Sequence, residues 1–286
     1  MSKDMMSFEL LGSGHLAKMM TNHAQPVQYH LPLNDAQIAL LPLIGRSLRI
    51  EYKGEIHCQH CGRKTNKSFS QGYCYPCFKA LAQCDSCIMS PEKCHFDAGT
   101  CRQPEWGEEF CMTDHIVYLA NSSGIKVGIT RLSQVPTRWM DQGAIQALPI
   151  FRVATRQQSG FVEDILREQV SDKTNWRKML KGDVEYLDLA AIRDELLDNA
   201  WNDIVALQKR FGLSAIQAID DGDVYEFEYP VEEYPAKVTT HNLDKTPIVE
   251  GVLKGIKGQY LILDSGVINI RKFGAYNINF YAQPIS

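Results

Sequence analysis

Four cysteines form two pairs, Cys58-x2-Cys61 and Cys74-x2-Cys77, separated by twelve residues. Two such knuckles supply four thiolates that can converge tetrahedrally on one Zn²⁺ with metal–sulfur bonds of ~2.3 Å. Gly62, directly after the first pair, fits the tight turn of a knuckle. A closed four-thiolate shell leaves no position for a substrate, so the expected role is structural. A second, less regular set follows: Cys84-x2-Cys87, Cys94 and Cys101. The repeated ligand chemistry predicts a second structural zinc, with an iron–sulfur cluster as the alternative for the same four thiolates. Cys111 is left over and is an alternative to Cys101, as His95 is to Cys94, while His57 and His60 read as bystanders. All nine cysteines lie between Cys58 and Cys111, which points to local chelation rather than a chain-wide disulfide framework.

The elements that must position these residues are partly visible in the pattern. Ser47–Lys53 alternates Leu48, Ile50 and Tyr52 with Arg49, Glu51 and Lys53, a half-buried strand leading into the first knuckle. Residues 115–120 and 125–130 read as two strands joined by the turn signal Asn121-Ser122-Ser123-Gly124. A short helix follows, with Pro136 in its first turn and Gly143 as its stop, and then a third strand over Leu148–Ala154. Ser159 is the expected cap of a helix that buries Phe161, Val162, Ile165 and Leu166 and has Glu163 in its first turn. Leu189, Ile192, Leu196, Ala200, Ile204, Leu207 and Phe211 recur at helical spacing, and Gly212 ends that helix. From Val224 onward, short strands such as VEGVLKG, QYLILD and VINIRKF predict a small antiparallel sheet or barrel, to which the strand at 47–53 could belong. Residues 1–45 show no long element, because Pro26, Pro32 and Pro42 interrupt them.

Composition bounds the function. The 286 residues are 44% hydrophobic, enough for two or three folded units, and 22% charged, too ordinary for a disordered chain. No apolar run approaches the ~18–20 residues of a membrane span, and no secretory leader is visible, so a cytoplasmic protein without a membrane partner is expected. The formal net charge of −4 hides a segregation. Lys and Arg outnumber Asp and Glu by 7 to 2 over residues 46–80 and by 10 to 5 over 115–181, while the acidic residues dominate elsewhere. The two basic segments can hold phosphate, which makes nucleic acid the expected partner.

The order His115-Ile-Val-Tyr118, Lys126-Val-Gly128-Ile-Thr130, Arg138-Trp139 and a downstream helix with Glu163 resembles the GIY-YIG nuclease superfamily. It is closest to variants whose second motif reads Lys-aliphatic-Gly; Ile116 and Lys126 stand where a glycine and a tyrosine are usual. This likeness covers about a fifth of the chain, and most of the chain is similar to an uncharacterised, cysteine-rich bacterial family with such a module. The resemblance implies Tyr118 as general base or water-orienting group, with Lys126 lowering its pKa. It also implies Arg138 as stabiliser of phosphoryl charge and Glu163 as ligand of a single Mg²⁺ or Mn²⁺, with Asn175 positioning phosphate or cation. Arg131, Arg152 and Arg156 are candidate nucleic-acid contacts. Register tests the arrangement. Tyr118 and Lys126 share a face only when an odd register, such as Ala120 opposite Lys126, joins the strands.

The expectation is an α+β protein in five segments. They are 1–56 (a strand joining the C-terminal sheet), 57–111 (two zinc-knuckle modules), 112–182 (a small GIY-YIG-like α/β core), 183–212 (a long connecting helix) and 213–286 (a C-terminal antiparallel β domain). Its expected function is metal-dependent hydrolysis of phosphodiester bonds in DNA or RNA, with zinc modules aiding substrate binding. The alternative is a non-catalytic zinc protein that uses the same fold to bind nucleic acid or a protein partner.

Overall fold

A computed structural model describes residues 7–170 and 175–284, which fall into two compact units. The first contains residues up to Phe78, Leu180–Gly182 and Glu228 onward; the second contains Lys79–Met179 and Asp183–Phe227. The division at Phe78 falls inside the cysteine-rich region. Among the described residues no helix is long and apolar enough to cross a membrane.

The strand Ser47–His57 organises the first unit. Its apolar Leu48 and Ile50 are buried while Lys53 is exposed, as the alternation requires. On one side it pairs antiparallel with Tyr276–Ala282, on the other with Ile248–Lys257. The sheet continues through Tyr260–Leu263 to Gly266–Asn269, and Glu9–His15 lies beside Tyr276–Ala282 at the opposite edge. The stretch VINIRKF is not one strand. Its extended part ends at Asn269, whose side chain accepts a hydrogen bond from Lys272 N at 3.2 Å and turns the chain. Residues 1–45 are richer in strands than the prolines imply, because Met20–Asn22, Gln28–Leu33 and Ala36–Ala39 form a small sheet. Pro32 is tolerated in the middle strand because the short neighbour Met20–Asn22 pairs only with residues 28–30, leaving Pro32 without a partner on that side.

The second unit is built on Ile125–Arg131, His115–Asn121, Gln146–Val153 and Ile216–Ala218, in that order and all antiparallel. Val117 and Leu119 face a core shared with Val162 and Leu166 of the helix Arg156–Arg167 and with Leu196, Ala200 and Ile204 of the helix Leu189–Phe211. Asp188 caps the longer helix by accepting from Ala191 N at 3.0 Å.

The helix Arg156–Arg167 starts earlier than Ser159. Thr155 and Gln158 form a reciprocal capping box, in which Thr155 accepts from Gln158 N at 3.3 Å and Gln158 accepts from Thr155 N at 3.1 Å. Glu163 consequently sits two turns into the helix, where attraction of the helix N-terminus no longer accounts for a carboxylate. The helix packs against the turn Pro91–Lys93, and Gly160 is the point of contact. A Cβ there would stand 2.5 Å from Glu92 N and 2.8 Å from Pro91 Cβ. Gln157 Nε2 extends this seam by donating to Cys94 O at 2.8 Å.

A glycine-to-alanine change inside a helix ordinarily gains about 1 kcal/mol. At Gly160 the backbone clash reverses the sign. Gly160→Ala is expected to lose about 1–3 kcal/mol, the range of overpacked cores. Urea unfolding checks it, and a net gain would show that the seam is looser than described.

Candidate functional site

The first knuckle lies where the strand Ser47–His57 ends. Its return strand Lys64–Thr65 pairs back onto Ile56 and His57. Gly62 has φ +71° and donates its N–H to Cys58 O at 2.8 Å, closing the turn. The second knuckle opens the helix Tyr75–Ala80, with Phe78 N donating to Cys74 O at 2.9 Å. Cys58, Cys61, Cys74 and Cys77 come together with their sulfurs within 4.8 Å of one another, and Cys61 Sγ and Cys74 Sγ are 3.7 Å apart. A tetrahedron with ~2.3 Å bonds has an edge of about 3.8 Å, so this group could hold a metal ion such as zinc. Burial raises the pKa of Cys58, but N–H donors from Cys74, Cys61 and His60 outweigh it and bring the thiol down to about 6.

The second cysteine group is arranged differently. Cys87, Cys94, Cys101 and Cys111 line one cavity together with Phe96 and Trp106, and Cys84 is not part of that lining. A closer group is Asp85, Cys87 and His95. Asp85 is occupied there: Arg102 Nε lies 2.7 Å and His95 Nε2 3.5 Å from its carboxylate, and Ser86 N donates to it at 2.6 Å. None of the nine cysteines is disulfide-bonded.

The central hairpin has Ala120 opposite Lys126 and Tyr118 opposite Gly128. Pairing extends one step further, to Asn121 and Ile125, so the loop is Ser122–Gly124. Tyr118 and Lys126 therefore share a face of the sheet. Gly128 makes room for the phenol, since a Cβ there would meet Tyr118 Oη and Cζ at 2.8 Å. Trp139 packs edge-on against the same ring at 5.5 Å between centroids, and Tyr118 donates its hydroxyl proton to Gln142 Oε1 at 3.1 Å.

Lys126 is only 8% exposed rather than a surface residue. Burial, reinforced by the neighbouring Arg138 charge and opposed by Glu163, lowers its pKa to about 8. Burial pushes the Tyr118 pKa the other way, upward, against the Arg138 charge and the hydrogen bond that Arg138 donates. The structure thus brings Tyr118, Lys126, Arg138 and Glu163 into one electrostatic group. Within it, the cation acting on the phenol is Arg138, and Lys126 is the group that burial brings closest to neutrality.

Other sequence candidates are engaged elsewhere. Asn175 caps the helix Trp176–Leu180 by accepting from Lys178 N at 3.1 Å, and its own N–H donates to Ser123 Oγ at 2.8 Å. Arg152 forms an ion pair with Asp114. Arg131 lies 4.6 Å over the Phe110 ring, and Arg156 donates to Ile88 O at 2.6 Å. His115 was not singled out as a titrating group. It is fully buried, which lowers its pKa to about 4, and its Nδ1 donates to Thr113 O at 2.6 Å.

A lysine at about 8 when folded and 10.5 in the open chain costs about 3 kcal/mol wherever both states are protonated, that is below about pH 8. Between those values the unfolded chain binds more protons, so the cost fades as pH rises. Lys126→Met is therefore expected to raise stability by up to about 3 kcal/mol near pH 6.5, with a gain that shrinks above pH 8. Urea unfolding across this range checks it; a difference independent of pH would contradict the buried charge.

No curated protein and no solved structure matches the chain. A family model does, over residues 45–278, which takes in both cysteine groups, the hairpin and most of the sheet around Ser47–His57. The chain belongs to the family described as protein of unknown function, DUF2797.

Proposed function

We propose that the second unit is a phosphodiesterase of GIY-YIG type acting on nucleic acid. The observation that carries this reading is that Arg138 and Glu163 act on both Tyr118 and Lys126, all on elements in the order the resemblance requires. Lys126, with a pKa of about 8, accepts the proton of the attacking water as the new P–O bond forms and the bond from phosphorus to the leaving oxygen breaks, the departing oxygen taking its proton from solvent water. Arg138 stabilises the charge that develops on the phosphoryl oxygens. Tyr118, held by Gln142 and Arg138, keeps Arg138 in place and is not the base. Glu163, a half-buried carboxylate, fits a hard cation that needs one protein oxygen and completes its shell with water and phosphate. Bound there, Mg²⁺ or Mn²⁺ supplies Lewis-acid polarisation of the phosphate.

The first cysteine group fits structural zinc by its sulfur spacing, and nine reduced cysteines fit a cytoplasmic setting. A second reading, nucleic-acid binding without turnover, is favoured by the complete burial of Tyr118.

Cleavage of mixed DNA and RNA structures with Mg²⁺ or Mn²⁺ separates the two. Wild type is expected to cleave, with kcat/KM rising toward about pH 8, and Glu163→Ala and Arg138→Ala are expected to lose about 10²-fold or more. Binding without metal-dependent cleavage would establish the second reading instead. For the first cysteine group, Cys74→Ser is expected to release about one zinc per chain and to lower the Tm; unchanged zinc would contradict the assignment.

A further inference from the structure

We infer that Cys87, Cys94, Cys101 and Cys111 hold a four-iron, four-sulfide cluster, and that Cys84 is not a ligand. The inference is independent of the phosphodiesterase reading, since it rests on the cysteine cavity alone. The two cysteine groups of this chain differ in a way that distinguishes their cargo. In the first, four sulfurs lie within 4.8 Å of one another, the spacing of thiolates around a single ion. In the second, four cysteines surround one cavity, yet among the described residues these four sulfurs do not gather into a group of that tightness. Sulfurs set wider apart than that do not, as they stand, match the shell of a single zinc ion. A cubane cluster presents one iron to each thiolate from the corners of a larger tetrahedron, and so keeps the sulfurs apart.

The surroundings fit the same cargo. Phe96 and Trp106 contribute apolar wall, the environment that shields cluster sulfide from water. The closest potential competitor for a single ion, the Asp85 carboxylate, is already held by Arg102 and His95. Positive charge stands where an anionic cluster needs it. Arg156 lies close enough to Cys87 and Cys111 to act on both, and Arg131 acts on Cys111. Arg156 Nε is buried and has no hydrogen-bond partner among the described residues, so a cluster or thiolate sulfur would give this donor an acceptor. Ligation balances in protons and electrons: each of the four thiols releases one proton as its sulfur binds iron, and two ferrous and two ferric ions with four sulfides give a core of charge +2 with no net oxidation or reduction.

The test is anaerobic reconstitution of the full chain with equal amounts of ferrous and ferric iron and with sulfide, followed by metal and sulfide analysis and visible and electron-spin spectroscopy. The expected result is about four iron and four sulfide per chain, with visible absorbance that bleaches on reduction and a spin signal in the reduced form. Cys84→Ser is expected to retain the cluster and Cys111→Ser to lose most of its iron. Failure of the wild type to take up iron and sulfide, whatever other metal is present, overturns the proposal without recourse to a variant. Loss of the cluster in a folded Cys84→Ser protein, or its full retention in Cys111→Ser, overturns the ligand set.

Discussion

The seating of the helix Arg156–Arg167 on the cysteine-bearing segment is the constraint on which the second unit depends. Glu163 is useful only if this helix is held at a fixed height over the hairpin, and a helix of three turns is marginal by itself. Three features hold it. The capping box at Thr155 and Gln158 fixes where it starts, Arg156 N donates to Cys111 O at 2.8 Å, and Gly160 lets its backbone approach Glu92 and Pro91. Gln157 adds a hydrogen bond to Cys94 O. Two of these contacts fall on the backbone of cysteines that line the cavity, so whatever fixes those cysteines also fixes the helix.

That arrangement links two otherwise separate pieces of chemistry. Arg156 feels the Cys87 and Cys111 thiols as well as Arg138 and Glu163, so one guanidinium lies between the cavity and the ionic group. The ionic group in turn exists because Lys126 and Tyr118 have been taken out of water. Their pKa values move in opposite directions for the same reason, since burial opposes the ammonium as much as it opposes the phenolate. This leaves a lysine that can lose its proton near neutrality beside a tyrosine that cannot.

What was legible in the sequence was what depends on neighbours in the chain. The hairpin 115–131, the helix ending at Gly212 and the knuckles at Cys58 and Cys74 each carry their pattern within a few residues. The start at Thr155 was also local, since Thr155 and Gln158 have the spacing of a capping box, but Ser159 competes with it as a cap by composition. The strand Glu9–His15 was not legible, because its partner Tyr276–Ala282 lies at the other end of the sequence. The burial of Lys126 was likewise opaque, as a lysine in an alternating strand reads as solvent-facing even where a resemblance assigns it to the site. The replacement of Cys84 by Cys111 around the cavity follows from the helix Pro104–Phe110, which returns Cys111 toward Cys101 and Cys94; spacing alone favours the Cys-x2-Cys pair.

Amide hydrogen exchange along the helix Arg156–Arg167 tests most directly whether the cysteine segment positions Glu163. The comparison is the wild-type protein against Cys87→Ser. The structure predicts that protection falls together over residues 84–111 and 156–167 in the variant, while His115–Asn121 and Gln146–Val153 keep theirs. A helix that retains full protection after the cysteine segment has lost its own would contradict the account.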